Sequence, residues 1–363
     1  MRHDGMFLAG TFPTLRSWAA TPGDLKADNS IFFTGLIVFT LRNLEPYLTP
    51  EERILCDSIR ARAVRAFPHY ANRHGAPTYN FWPTDRPVFF PHSRVLGLFK
   101  ESKRIADDLD DSSILWMCMD LPDSTGRRLK MLMDEHAGGG GRSPAGGGRS
   151  PAGGRRSRNT YAAVRNLPAY SAWFGVKTPL EFDAGVMANV LYFVYAEGLT
   201  PDIHDSAGLT FVQYILSHRK YWTDPAYAST YYPRTPLLIY HFARLIGRFH
   251  PAMLMPCVPQ LKADARRALL EARDPLDKLI LETALLRLGD TTGLAQPEGS
   301  AGDEVFYIAN IASLFPNPIR RMFLHSPLCI YEFHCPAYDD ALLLENWVLR
   351  RNLTAGTSST PSP

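Results

Sequence analysis

Short polar openers followed by long apolar runs recur along the chain, and this patterning carries most of its fold information. Six segments share the plan, each with an opener and then roughly ten to fifteen residues that are apolar nearly all round. They open at Asp28-Asn29-Ser30, Asp110-Asp111-Ser112-Ser113, Glu181-Phe182-Asp183, Thr235-Pro236, Asp274-Pro275 and Asp339-Asp340. Short side-chain oxygens at such positions satisfy the free N–H groups of a first helical turn, and negative charge suits the helix dipole there. Each opener therefore predicts a helix start. Two-faced segments lie between them at 50–67, 124–135, 207–221, 261–272 and 303–314. In the first, Ile54, Ile59, Ala63 and Val64 gather toward one side, while Glu51, Glu52, Arg53, Arg60 and Arg62 supply charge.

A helix that is apolar all round is covered on both sides, and a two-faced helix is covered on one. Their alternation predicts an all-α, single-domain chain whose helical hairpins, about six of them, close into an α/α toroid with the apolar helices inside. Strand content is doubtful, because the aromatic stretch 78–91 holds three prolines and reads as an irregular loop. The Gly/Arg/Ser/Pro repeat at 137–158 has nothing to bury and predicts a disordered insertion. It divides the toroid into 1–136 and 159–352, with 353–363 as a disordered tail.

Composition narrows the class without naming it. Hydrophobic residues make up 45% and charged residues 21%, as in a folded globular chain, and a net charge of +3 gives no nucleic-acid footprint. The five cysteines, Cys56, Cys118, Cys257, Cys329 and Cys335, are scattered without a CxxC pair, which fits buried thiols in a reducing, cytoplasmic setting. No stretch reaches the ~20 apolar residues of a membrane span. The start of the chain does not read as a signal peptide.

The densest chemical signal is Asp107-Asp108-Leu109-Asp110-Asp111, at the mouth of a predicted inner helix. If Asp108 and Asp111 share a helical face, a proton retained between close carboxylates raises one apparent pKa and leaves a group able to donate. The helix dipole opposes this, and burial decides. A solvated helix cap with surplus acids is the plain alternative. Aromatic clusters at Tyr79-Asn80-Phe81-Trp82, Tyr221-Trp222 and Tyr231-Tyr232 serve either as core filling or as a cavity wall able to steady a cation.

The run Asp108-Leu109-Asp110-Asp111-Ser112-Ser113-Ile114 resembles the DxDD segment of class II terpene cyclases, a superfamily built on α/α toroids. The resemblance implies that Asp110 is the general acid that protonates an alkene or epoxide, with Asp108 and Asp111 as its partners. It further implies an apolar, polyprenyl-like substrate, with Tyr79, Phe81 and Trp82 as cavity lining. Cyclases of this class usually seat the substrate between two toroids, so a partner toroid or a homo-oligomer is expected beside this chain.

The same acids also fit the DDxxD pattern of class I prenyl-diphosphate enzymes, in which Asp107, Asp108 and Asp111 would hold Mg2+. Glu181 and Asn189 are spaced to share a helical face, with Asp183 turned away, and they form a second candidate binding group. Glu282 and Glu345, each inside an apolar run, are candidates to face the same interior. A carbohydrate-active toroid would instead pair Asp110 with Glu181 or Glu282. A non-catalytic binding toroid would need none of them.

Overall fold

The structure, a computed structural model, describes residues 7–85, 106–138, 156–175, 178–295 and 304–357. Among them are thirteen α-helices and one four-stranded antiparallel sheet. Helix α1 (Phe32–Leu44) is buried along nearly its whole length, and α2 (Pro50–Val64) packs on it with mostly exposed residues. A capping box between Thr49 and Glu52 starts α2. Next come α3 (Leu109–Met117), α4 (Asp123–His136), α5 (Ala184–Ala196) and α6 (Ile203–Ser217). The short α7 (Lys220–Thr223) and α8 (Pro225–Ala228) lead into α9 (Thr235–Phe249). The remainder are α10 (Val258–Glu271), α11 (Pro275–Arg287), α12 (Ile319–Phe323) and α13 (Pro336–Thr357).

Packing follows chain order. Helix α1 packs on α3, α3 on α5, α5 on α9, α9 on α11, α11 on α13, and α13 on α1. These are the helices of the six apolar runs. Helix α6 lies against α5, and α10 against α11 and α9. The closest approach between α9 and α11 uses Gly247, where a β-carbon would stand 2.2 Å from the Arg287 carbonyl oxygen.

The all-α expectation is corrected by the sheet. Strands β1 (Thr14–Trp18), β2 (Thr21–Asp28), β3 (Tyr307–Asn310) and β4 (Ile330–His334) lie in the order β2-β1-β4-β3. Leu15 pairs with His334, so the sheet ties the beginning of the chain to its end, just before α13 returns to α1. Segment 303–314 was expected as an outer helix, yet its described part forms β3 and a 3-10 turn, Ile311–Leu314. All four β3 residues are buried and pair with β4, which leaves no polar face for a two-faced helix.

Helix starts also shift. Asp183 and Asp274 cap α5 and α11 as expected. Asp28 does not cap α1; its carboxylate accepts from Ser30 N and Trp82 Nε1 instead. Asp339 and Asp340 sit inside α13, and Asp110 and Asp111 sit inside α3. Of the expected insertion, 139–155 lie outside the described residues, while Gly138 N donates to Ala169 O and 156–158 are described. Helix α13 runs to Thr357, into the expected tail, and 358–363 lie outside the described residues. No helix among the described residues is long and apolar enough to cross a membrane.

Glu345 on α13 joins three of these helices, accepting from Tyr240 of α9 at 2.6 Å and from Arg287 of α11 at 2.5 Å. Its replacement by alanine strands a buried guanidinium, so Glu345→Ala should cost about 3–5 kcal/mol in urea unfolding. Glu52→Ala, which removes an exposed ion pair with Arg351 and the reciprocal half of the α2 capping box, should cost ~1–2 kcal/mol at most. Equal losses would show that Glu345 does not link the helices.

A buried carboxylate cluster at the mouth of α3

Three extended segments meet where α3 begins. Asp108 N donates to Tyr79 O, Leu109 N to Ala172 O and Phe174 N to Asp107 O. This pairing holds Asp108 in an extended conformation, from which the chain turns into the helix at Leu109. Asp108 is the N-cap, its Oδ1 accepting from Asp110 N at 2.6 Å and Asp111 N at 3.3 Å. It therefore does not share a helical face with Asp111, as the spacing had implied. Asp107 is taken up elsewhere, accepting from Asn72 Nδ2 and Thr78 Oγ1, each at 2.5 Å. The Mg2+ grouping of Asp107, Asp108 and Asp111 is thus dispersed. No cluster of three metal-ligating acids, histidines or cysteines occurs among the described residues.

Asp110 points inward and is 3% exposed. Its Oδ2 accepts from the Tyr232 hydroxyl at 2.5 Å and its Oδ1 from Asn189 Nδ2 at 2.8 Å. Because a carboxylate only accepts, the Asn189 amide must turn its NH2 toward Asp110 and its oxygen away. That oxygen takes Arg244 Nη2 and lies 3.0 Å from His241 Nδ1. Arg244 is itself buried, with its charge over the rings of Phe39 at 4.8 Å and Tyr240 at 5.3 Å. Burial, then the Arg244 charge, hold the His241 imidazole well below its ordinary pKa, so the ring is neutral.

The titration of the cluster follows from burial. No lysine or arginine among the described residues makes an ion pair with Asp108, Asp110 or Asp111. Desolvation raises the Asp110 pKa from 3.8 to about 6, against the opposing pull of its Tyr232 and Asn189 hydrogen bonds. Desolvation and the neighbouring carboxylates push Asp111 well above its ordinary value, and desolvation followed by the Asp110 charge does the same to Asp108. Asp111 Oδ1 is buried without a hydrogen-bond partner among the described residues. The trio retains protons where ordinary aspartates have none.

Aromatic rings surround this acid. Tyr232 lies 4.2 Å from the His241 ring, and Tyr307 of β3 lies 4.5 Å from Phe32 and 5.4 Å from Phe81. Phe81 therefore joins this aromatic cluster, whereas Tyr79 packs against Phe67 and Trp116 and Trp82 donates to Asp28. Asn189 joins the site through Asp110 and not through Glu181. Helix α5 starts at Ala184, so Glu181 lies before it and cannot share its face. Glu181 accepts from Trp173 Nε1 and the Tyr231 hydroxyl, each at 3.0 Å, and pairs with Arg320 at 3.1 Å. Asp183 holds the backbone N–H groups of Thr230 and Tyr231. Glu282 pairs with Arg350 at 2.9 Å, and Glu345 with Arg287, so neither acid joins Asp110.

Sequence reasoning missed Arg244 and passed over His241. Their signal was a cation and an imidazole inside the otherwise apolar run Leu237-Leu238-Ile239-Tyr240-His241-Phe242-Ala243-Arg244. Tyr232 was visible only as half of an aromatic pair. No protein-family model matches the chain, and neither a curated protein nor a solved structure does.

The raised carboxyls fix the sign of a pH effect. A folded state that binds more protons than the unfolded one is fully stabilised below about pH 4 and loses stability as pH rises through about 6 and beyond. Asp111→Asn removes one such group, so its urea-unfolding free energy should fall less steeply than wild type between pH 4 and 7. At pH 7 the variant should be the more stable by ~1–3 kcal/mol. An unchanged slope in the variant would place Asp111 in solvent.

Proposed function

We propose that this chain is an α/α toroid that performs acid-initiated chemistry on an apolar, alkene-bearing substrate, with Asp110 as proton donor. The toroid reading rests on the closed succession of α1, α3, α5, α9, α11 and α13, with α2, α6 and α10 packed outside it. The acid reading rests on one observation: Asp110 is a buried carboxyl whose side-chain hydrogen bonds among the described residues come from the neutral Tyr232 hydroxyl and Asn189 amide, beside aromatic rings.

In the proposed step the Asp110 O–H bond breaks, and the alkene π pair takes the proton to form a C–H bond and a carbocation. The carboxylate left behind keeps the Tyr232 hydroxyl and the Asn189 amide, which favour its charged form and so assist the transfer. Ring faces at Tyr232, Tyr307, Phe32 and Phe81 would steady the cation, and a water-poor interior would protect it from capture. Loss of a proton from the cation ends the reaction, and bulk water restores the acid. The five unpaired cysteines favour a reducing, cytoplasmic location. A second reading, a non-catalytic scaffold, draws on the close mutual packing of Tyr307 with Phe32, Phe81 and Tyr231.

Incubation with squalene, oxidosqualene and prenyl diphosphates, with and without Mg2+, separates these readings. Acid initiation predicts cyclised product that survives chelation, falls by about 10²–10⁴ in Asp110→Asn, and declines as pH rises above about 6. Metal-dependent release of diphosphate would replace this reading with class I chemistry. Inertness toward every substrate in a folded protein would leave the scaffold.

A further inference from the structure

Two unexplained surface features lie side by side. The segment 315–328 exposes five large apolar residues: Phe315 at 41%, Ile319 at 43%, Met322 at 73%, Phe323 at 41% and Leu328 at 60%. Ile319, Met322 and Phe323 share one face of α12 by their spacing, while Arg320 and Leu324 point the other way and are buried. Beside this face a cleft of about 910 Å³ is lined by Arg156, Arg158 and Arg165 together with Pro316 and Asn317. None of these guanidinium groups has an acidic partner among the described residues.

The two features form one rigid surface. Asn317 Nδ2 donates to Arg158 O at 2.9 Å and to the Tyr227 hydroxyl at 2.6 Å, and Asn159 Nδ2 donates to Phe315 O at 3.0 Å. Arg320 anchors α12 from beneath through Glu181 and Thr230. An apolar patch meant for a protein core has no use for three arginines that lack an acidic partner among the described residues, and a site for a small soluble anion has no use for an exposed Met-Phe pair. A bilayer with anionic headgroups satisfies both, taking the apolar side chains into the acyl boundary and the guanidiniums onto lipid phosphates.

We infer that the α12 face and the adjoining arginine cleft dock this protein on an anionic membrane surface. The occupant is a phospholipid bilayer, and the contact is peripheral. This inference goes beyond the acid site and does not depend on it.

Co-sedimentation of the full chain with phosphatidylcholine vesicles, alone or mixed with phosphatidylglycerol, tests it. Binding is expected to the mixed vesicles only, to weaken as salt is raised, and to drop about tenfold or more in both Met322→Glu/Phe323→Glu and Arg156→Glu/Arg158→Glu/Arg165→Glu. All five side chains are exposed, so circular dichroism and melting should match wild type in each variant. Absence of binding by the folded wild type to either vesicle overturns the proposal, as does unchanged binding in either variant. Two controls cover the rival occupants. Release of the vesicle-bound protein by millimolar-range inorganic phosphate at constant ionic strength would reassign the cleft to a soluble anion. Dimerisation abolished by Met322→Glu would reassign the apolar face to a second copy.

Discussion

Three carboxylates buried within one turn of chain, with no cation paired to them among the described residues, are the constraint around which the interior is organised. Two unit charges 4 Å apart repel by roughly 4 kcal/mol at an effective dielectric near 20, before any cost of desolvation. A fold with a stability of about 5–15 kcal/mol cannot hold three such anions without relief. Relief comes in two forms. Asp108 spends its oxygen on the two free N–H groups of its own helix, and Asp110 receives a phenol and an amide. What these donors leave uncompensated is met by retained protons.

The same contacts lock the helices to one another. Asp110 of α3 binds Asn189 of α5, whose oxygen binds Arg244 of α9. From α9, Tyr240 reaches Glu345 of α13, which in turn holds Arg287 of α11. Helix α1 joins through Asn43, which accepts from the Tyr192 hydroxyl of α5 at 2.5 Å, and through the ring of Phe39 under Arg244. Apolar burial brings the helices together, but it is indifferent to small rotations about their axes. Directional contacts between buried polar groups are not. A helix rotated by one residue would leave at least one buried charge without its partner, which makes this network a device for register.

How much of this was legible follows from what periodicity reports. An apolar run with a polar opener tells how deeply a helix is buried and roughly where it starts, so α5 and α11, with Asp183 and Asp274 as caps, were readable. Which element lies opposite is a tertiary fact. Asn189 was expected to share a helical face with Glu181, and nothing in its neighbourhood names Asp110, 79 residues away in the chain. The sheet was hidden for the same reason. Leu15 and His334 pair across almost the whole chain, and Tyr-Ile-Ala-Asn is too short to separate strand from helix by pattern. Glu181 was misplaced because two residues before a cap obey no helical period.

Glu181 and Asp110 show that burial alone does not set how a buried acid titrates. Both are nearly inaccessible, and desolvation raises both. Glu181, however, faces Arg320, and that guanidinium favours its anion and binds it into the wall between Tyr231 and α12. Arg320 thus opposes the rise that burial imposes on Glu181 and fixes its carboxyl in place. Asp110 has no such partner among the described residues, and its donors there are neutral groups whose hydrogen bonds are worth less than a salt bridge. Chemistry that begins with proton transfer needs a group whose two states are close in free energy, and that balance exists where a buried acid meets phenol and amide. Where it meets a cation, the acid becomes a structural charge. The two sites are linked through Tyr231 and Tyr307, whose rings stack 6.1 Å apart. One side of that stack is fastened by an ion pair, and the other is left free to titrate.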